Sequence, residues 1–238
     1  MKQLKLSIII PAYNEKDTIL KILKKVENAD IGKNKKEIII VDDFSKDGTR
    51  EILEKIKKRK SKNIQYKVLF HDKNYGKGHA FKTGLKAATG DIILVQDADL
   101  EYDPKDYKSL IEPIIQGKAR VVYGSRRLNK NNMQYSKLSF LFGGIVLTWI
   151  TNILFLIHIT DEPTCYKVFR TDIIKKIKIN GEKFEWEPEV TAKIAKKGIK
   201  IYEVPIKYYP RSPEEGKKIK WKDGVEAIWT LIKYRFIN

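Results

Sequence analysis

Asp97 and Asp99 stand two residues apart, directly behind the apolar run Ile92-Ile93-Leu94-Val95-Gln96. Residues i and i+2 of an extended chain project to one side, so both carboxylates can face a single cation. Hard oxygen donors of this kind suit Mg2+ or Mn2+, ions that commonly bridge to substrate phosphates. Such an ion neutralises the charge that grows on a departing diphosphate. A lone Asp-x-Asp is more often a solvated acidic turn. The buried run ahead of this one, and the third carboxylate of Glu101, favour the metal.

Other polar groups have the right types to complete a site. Asp42 and Asp43 follow the apolar run Ile38–Val41 and could accept hydrogen bonds from a nucleoside base or ribose. Ser45 or Asp47, ahead of Thr49, can also cap a helix there. Tyr13 and Glu15 could hold base and ribose, although alone they make an ordinary strand-to-helix turn. Arg211 and Lys217 flank the loop Ser212-Pro213-Glu214-Glu215-Gly216 and could clamp a diphosphate, arginine as a fork and lysine as a point charge. Lys218, Lys220 and Lys222 read as a solvated face, as does the run Lys55–Lys62. Asp161 suits a general base if the acceptor is a hydroxyl; a phosphate acceptor is already anionic and needs none. Cys165 has no evident histidine partner and reads as a packing residue. Asn74-Tyr75-Gly76-Lys77-Gly78 reads as a glycine turn, because a dinucleotide fingerprint would need glycine where Phe81 stands.

These groups need elements to position them. Apolar runs at Leu6–Ile10, Ile38–Val41, Tyr66–Phe70, Ile92–Val95 and Val121–Tyr123 predict strands. Helical stripes lie between them: Ile19, Ile22, Leu23 and Val26, then Ile52, Leu53 and Ile56, then His79 to Ala88, then Pro104 to near Gln116. Such alternation predicts a parallel sheet with helices on both faces, which binds ligands at the carboxyl ends of its strands. Tyr13-Asn14-Glu15, Asp42-Asp43, Asp97-Ala98-Asp99 and Ser125-Arg126 all fall at those ends. The second half differs. Leu138 to Thr160 holds no lysine, arginine, aspartate or glutamate, which is long enough for a membrane span. Ser139, Gly143-Gly144, Thr148, Thr151, Asn152 and His158 interrupt it. A helix over Pro188–Lys197, a strand over Ile199–Ile206 and a final helix carrying Val225, Ile228, Trp229 and Ile232 follow.

Composition sets the bounds. The 238 residues suit one domain over 1–238, with a nucleotide half at 1–127 and an acceptor and membrane-facing half at 128–238. Hydrophobic residues at 42% and charged residues at 33% exclude a disordered chain and a polytopic membrane protein. The net charge of +18 points to nucleic acid, anionic lipid or a phosphorylated substrate. One cysteine and three histidines exclude a disulfide framework and an ordinary structural zinc site, and suggest a reducing compartment. The apolar run before Pro11 is too short for a signal peptide.

Five motifs occur in order: Pro11-Ala12-Tyr13-Asn14-Glu15, Val41-Asp42-Asp43-Phe44-Ser45-Lys46-Asp47-Gly48-Thr49, Asn74-Tyr75-Gly76-Lys77-Gly78, Gln96-Asp97-Ala98-Asp99-Leu100 and Gly124-Ser125-Arg126. Asp161, Arg211 and Gly216-Lys217-Lys218 follow. Together they resemble the family-two glycosyltransferases, in particular the dolichyl-phosphate mannose and glucose synthases and bacterial polyprenyl-phosphate transferases. The resemblance implies a glycosyltransferase A-type, Rossmann-like α/β fold with a mixed, mostly parallel sheet. It implies that Pro11, Tyr13, Glu15, Val41 and Asp43 cradle the nucleoside, with Asp97, Ala98, Asp99, Arg211 and Lys217 on the rest of the nucleotide. Asp97, Asp99 and Glu101 would hold Mg2+ or Mn2+, Glu101 standing where the family often has glutamine. Asp97, Asp99, Arg126, Asp161 and Arg211 would form the catalytic set, with Arg126 by the sugar or the acceptor phosphate. The implied reaction moves mannose or glucose, with inversion, from GDP-mannose or UDP-glucose to dolichyl or polyprenyl phosphate.

Two rivals remain at this point: a transferase of the same fold acting on a sugar or protein hydroxyl with Asp161 as base, and a basic nucleic-acid-binding module suggested by the charge and by Tyr66, Tyr75 and Tyr102. The second does not explain acidic residues at the strand ends, so no nucleic-acid partner is expected. Many relatives carry transmembrane helices after the catalytic domain, whereas this chain stops at Asn238. A single crossing at Leu138–Thr160 would separate Arg211 and Lys217 from Asp97. The segment is therefore expected to form interfacial or re-entrant helices on an anionic membrane surface, rather than plain core or an oligomer interface. That places the protein in the cytoplasm, peripheral on the cytoplasmic face of the membrane, with a separate membrane subunit as a further candidate partner.

Overall fold

The computed structural model describes residues 3–59, 61, 64–134, 138–211, 218 and 221–237, with side chains for all of these except 133, 134 and 138–140. Lys217 and the loop 212–216 lie outside the described residues. Seven strands, β1 (Lys5–Ala12), β2 (Lys35–Asp42), β3 (Ile64–Phe70), β4 (Ile92–Val95), β5 (Val121–Ser125), β6 (Lys167–Arg170) and β7 (Ile201–Pro205), form one sheet. Its order is β3-β2-β1-β4-β6-β5-β7. Only β6 runs antiparallel to its neighbours. The helices are α1 (Ile19–Asn28), α2 (Thr49–Lys57), α3 (Lys77–Ala87), α4 (Tyr107–Ile115), α5 (Leu138–Phe155), α6 (Thr171–Ile174), α7 (Trp186–Lys196) and α8 (Trp221–Phe236). The architecture is the expected one, a mostly parallel sheet flanked by helices.

The central strands are buried on both faces, which is why they read as unbroken apolar runs. Ile8 to Ile10, Ile38 to Val41 and Ile93 to Val95 are each inaccessible to solvent. Ile19, Ile22, Leu23 and Val26 form the buried stripe of α1. α3 comes so close to β1 that a Cβ on Gly84 would stand 2.5 Å from Ile9 Cγ2. Pro11 does not end β1 as expected but pairs in register with Val41. Ile9 O accepts from Gln96 N and Ala12 O from Asp43 N, so alternation turns Pro11 toward the β4 side, past the last residue of β4. No ladder donor is lost there.

Sequence periodicity missed β6. It has four residues, one of them Lys167, which is wholly buried. Lys167 Nζ donates to the carbonyls of Glu162 at 2.6 Å and Thr164 at 2.9 Å, and lies 3.9 Å from Glu162 Oε1. A lysine satisfied this way can sit in a core, but its type reads as surface. α7 starts at Trp186 rather than Pro188, and β7 is shorter than the predicted Ile199–Ile206.

The amino ends of the strands carry a buried carboxylate of their own. Glu37 accepts from Thr89 N at 2.9 Å, Thr89 Oγ1 at 2.8 Å and Ser7 Oγ, with Lys67 Nζ at 2.8 Å and Lys5 Nζ at 3.2 Å. Burial opposes its ionisation, but the bonds from Lys67, Ser7 and Thr89 outweigh this and bring it from 4.5 to about 2. A carboxyl lowered on folding adds stability above its unfolded value and loses it as pH falls through the folded value. We expect unfolding free energy, measured by urea titration, to drop between pH 5 and pH 2 by on the order of 3 kcal/mol more in the wild type than in Glu37→Gln. Equal slopes in the two proteins would contradict this.

Candidate active site

Because β1, β2, β4, β5 and β7 are mutually parallel, their carboxyl ends share one edge. Non-glycine residues with positive φ sit at three of these ends: Asn14 at 51°, Phe44 at 67° and Leu100 at 68°. Left-handed backbone costs about 1–3 kcal/mol at such residues and gathers at functional turns. Here it reverses the chain sharply enough to hold polar side chains over the sheet edge.

Asp97 and Asp99 follow β4. Each carboxylate meets a protein cation. Lys77 Nζ lies 2.7 Å from Asp97 Oδ1 and 3.0 Å from Oδ2, and 2.8 Å from Glu187 Oε1 at the start of α7. Arg211 Nη2 lies 3.1 Å from Asp99 Oδ2. Burial, then the charges of Asp97 and Glu101, push the Asp99 carboxyl up to about 7, against the pull of Arg211. For Lys77, burial disfavours the charge, but Asp97 and Glu187 outweigh it and hold the amine cationic. The donors at Asp97 and Asp99 are hard oxygens in surplus negative charge. This fits a divalent cation, which would relieve the repulsion.

Glu101 uses both carboxylate oxygens elsewhere. Oε1 accepts from Arg211 N at 2.8 Å and Oε2 from Tyr208 OH at 3.1 Å, while its carbonyl accepts from Tyr209 N at 2.9 Å. It thus ties the segment after β7 to the turn carrying Asp99. Among the described residues, no group of three or more histidine, cysteine, aspartate and glutamate side chains is arranged to hold a metal ion.

At the β1 end, Glu15 accepts from Thr18 Oγ1 at 2.6 Å and Lys218 Nζ at 2.6 Å, with Arg211 Nη2 at 3.4 Å. Lys218 also donates to the carbonyl of Tyr13 and stands 5.7 Å from its ring centroid. Lys218, expected on a solvated face, therefore reaches the site. Pro11 and Tyr13 are half-buried there, and Ala98 is buried between the aspartates. At the β2 end Val41 is core, and Asp43 is largely committed to its own fold. It accepts from His71 Nδ1 at 2.7 Å, Tyr75 N at 3.0 Å and Gly76 N at 2.7 Å. The glycine turn is structural, as its sequence suggests: φ at Gly76 is +105°, and a Cβ there would lie 2.5 Å from Glu182 O. The N-cap of α2 is Gly48 rather than Ser45 or Asp47, and Asp47, one residue earlier, accepts from Thr49 N at 3.0 Å and Thr49 Oγ1 at 2.6 Å.

Arg126 and Asp161 form a two-pronged pair. Arg126 Nε and Nη2 each donate to Asp161 at 2.7 Å, and Arg126 N donates at 2.9 Å. Asp161 is wholly buried; burial works against its charge, and Arg126 overcomes this and lowers its pKa. Such a carboxylate orients Arg126, which lies 5.1 Å from the Tyr208 ring centroid, and is poorly suited to taking a proton. The polar interruptions of α5 find their use beside it. Thr148 Oγ1 accepts from Glu162 N at 3.0 Å, and Asn152 both donates to Ile159 O at 2.8 Å and accepts from Ile159 N at 3.0 Å. Cys165 is buried packing, as expected.

Sequence reasoning placed Asp97, Asp99, Glu101, Glu15 and Arg211 together and missed Lys77, Glu187 and Tyr208. Lys77 had a signal, since it lies at the end of the turn after β3. Glu187 and Tyr208 had none.

Comparisons with known proteins bear on the family and the fold. The chain is 31% identical to a dolichol-phosphate mannosyltransferase of Pyrococcus furiosus, over 97% of this chain and 64% of that one. It is 32% identical to a UDP-N-acetylglucosamine–dolichyl-phosphate N-acetylglucosaminyltransferase of Methanococcus voltae, over 84% of each. Among solved structures, glucosyl-3-phosphoglycerate synthase of Mycobacterium tuberculosis in complex with UDP superposes with a TM-score of 0.72 at 17% identity, over 99% of this chain and 81% of that one, a likeness of fold. The profile described as Glycosyl transferase family 2 matches residues 7–178. That span runs from β1 through β6 and takes in the carboxylates from Glu15 to Asp161, so the chain belongs to glycosyl transferase family 2.

Proposed function

We propose that this glycosyltransferase moves a hexose, mannose or glucose, from a nucleotide sugar to a polyprenyl or dolichyl phosphate with inversion at the anomeric carbon. The observation that carries the reading is Arg211, which bridges Asp99 at 3.1 Å and Glu15 at 3.4 Å, across the gap between the aspartate pair and the β1 end. A nucleoside at the β1 and β2 ends would extend its diphosphate toward Asp97 and Asp99, under Arg211 and Lys218. Asp97 and Asp99 would hold Mg2+ or Mn2+, which supplies charge neutralisation for the departing diphosphate. Crystals of the Mycobacterium tuberculosis synthase with Mn2+ and UDP-glucose support a divalent ion in this fold. Arg211 adds a fork of donors to the same leaving group. Lys217 is proposed to join it.

The acceptor follows from Arg126 and Asp161. A phosphate oxygen attacks without a base, and Arg126, held by Asp161, would receive the other phosphate oxygens. A hydroxyl acceptor would need a base, and Asp161 has its oxygens occupied by Arg126. The names of the Pyrococcus and Methanococcus relatives support a lipid phosphate.

A lipid acceptor calls for a surface that reaches lipid. Among the described residues no helix is long and apolar enough to cross a membrane, and Arg211 lies on the same side as Asp99. α5 packs against α8 through Leu147, Phe155, Ala227 and Leu231, so part of the apolar segment is core. The rest faces outward. Phe142, Ile145, Trp149 (65% exposed) and Ile153 form a stripe on α5; Trp221 (75%), Val225, Trp229 (64%), Ile232 and Phe236 form one on α8. Lys222, Lys233 and Arg235 on α8 are exposed. Apolar stripes with tryptophans and flanking cations suit an anionic bilayer interface. Thr148 and Asn152 join this surface to the loop that holds Asp161 and Arg126.

Purified protein with Mn2+, offered a panel of nucleotide sugars and polyprenyl phosphates, is expected to give a lipid-linked hexose phosphate identifiable by mass. Asp99→Ala nearly abolishes it, and Arg211→Ala lowers turnover more than nucleotide affinity. Transfer to a hydroxyl with none to lipid phosphate would overturn the reading. In flotation with anionic vesicles at low salt, the protein should rise with the lipid, and Trp149→Glu with Trp229→Glu should stay behind. Wild type remaining in the soluble fraction, alone or as a dimer, would refute the docking surface.

A further inference from the structure

Lys77 is the first residue of α3, where the helix dipole disfavours a cation. Its main chain has little freedom. Gly78 N donates to Lys183 O at 3.1 Å and His79 N to Glu182 O at 2.9 Å. A Cβ on Gly78 would lie 2.7 Å from Gly181 O, so the backbone of α3 is pressed against the chain that leads into α7. The side chain is thus delivered to one place. Its ammonium sits against both oxygens of Asp97, at 2.7 and 3.0 Å, and touches Glu187 at 2.8 Å. A divalent ion binding Asp97 directly would need oxygen contacts of about 2.0–2.2 Å, in space that the ammonium borders.

We propose that Lys77 is a resident counter-cation of Asp97 that a divalent ion must displace, so that Lys77 sets how tightly the donor-free site takes metal. The inference rests on the reading of Asp97 and Asp99 as the metal carboxylates. Glu187 gives the displaced ammonium a second seat. The lysine can give up Asp97 while keeping a carboxylate partner, so neither the incoming ion nor the lysine leaves a buried charge unpaired. The arrangement keeps the aspartate neutralised between turnovers and weakens metal binding until a diphosphate supplies further ligands.

The test is Mn2+ binding without nucleotide, followed by loss of the free-ion electron paramagnetic resonance signal as full-length protein is titrated with MnCl2. Lys77→Met should tighten Mn2+ by about tenfold or more relative to wild type, the gain expected from removing a competing cation in contact with the ligand. Lys73→Met, which removes a cation from the same turn, should leave the affinity at the wild-type value. Asp99→Asn should weaken it severely. Unchanged or weaker binding in Lys77→Met, or equal tightening in Lys73→Met, would overturn the proposal while a severe loss in Asp99→Asn keeps the metal reading intact. Wild-type affinity in Asp99→Asn would remove that reading, and the proposal with it. Circular dichroism melts check the fold; if methionine unfolds the protein, Lys77→Gln takes its place with the same expectations.

Discussion

Mutual repulsion among carboxylates at one edge of the sheet is the constraint that organises this molecule. Asp97, Asp99, Glu101 and Glu15 are brought together by the ends of β1 and β4 and the turns that follow. Burial, and then the neighbouring charges of Asp97 and Glu101, push the Asp99 carboxyl up to about 7. The fold answers with cations drawn from distant parts of the chain. Lys77 comes from the start of α3, Arg211 and Lys218 from beyond β7. A phosphorylated ligand with its metal would enter the same balance of charge.

The scaffold explains why those groups stay close. Parallel pairing puts the carboxyl ends of every strand but β6 on one edge, and left-handed turns at Asn14, Phe44 and Leu100 tip side chains over it. Glu101 fastens the segment after β7 through Tyr208, Tyr209 and Arg211, so the two halves of the site share one anchor. At the end of β5, Asp161 holds Arg126, and Thr148 and Asn152 hold the loop of Asp161 to α5. The carboxylate-lined edge and the exposed apolar face are therefore joined by hydrogen bonds rather than by a flexible link.

Much of this was legible in the residues themselves. Isoleucine runs buried on both faces mark central parallel strands, and carboxylates directly behind them mark the edge where a ligand binds. What stayed hidden depended on partners far apart in sequence. β6 was hidden because Lys167 reads as surface, yet its ammonium is satisfied by nearby carbonyls in the core. The commitment of Asp43 to the Tyr75-Gly76 turn needed the contact between β2 and the segment before α3. Lys77 looked like part of a tight turn, and its chemistry emerges only when α7 brings Glu187 beside it. The polar residues of α5 argued against a membrane span, but their purpose appeared only with the loop they hold.

The central claim is that the aspartate pair receives a diphosphate only when a divalent ion offsets its charge. Isothermal calorimetry of GDP and UDP binding, in Mn2+ and again in EDTA, tests it most directly. The account predicts that at least one nucleotide binds about tenfold or more tightly with Mn2+, and that Asp99→Asn removes the difference. Equal affinity with and without the ion, in wild-type protein that binds the nucleotide well, would contradict it.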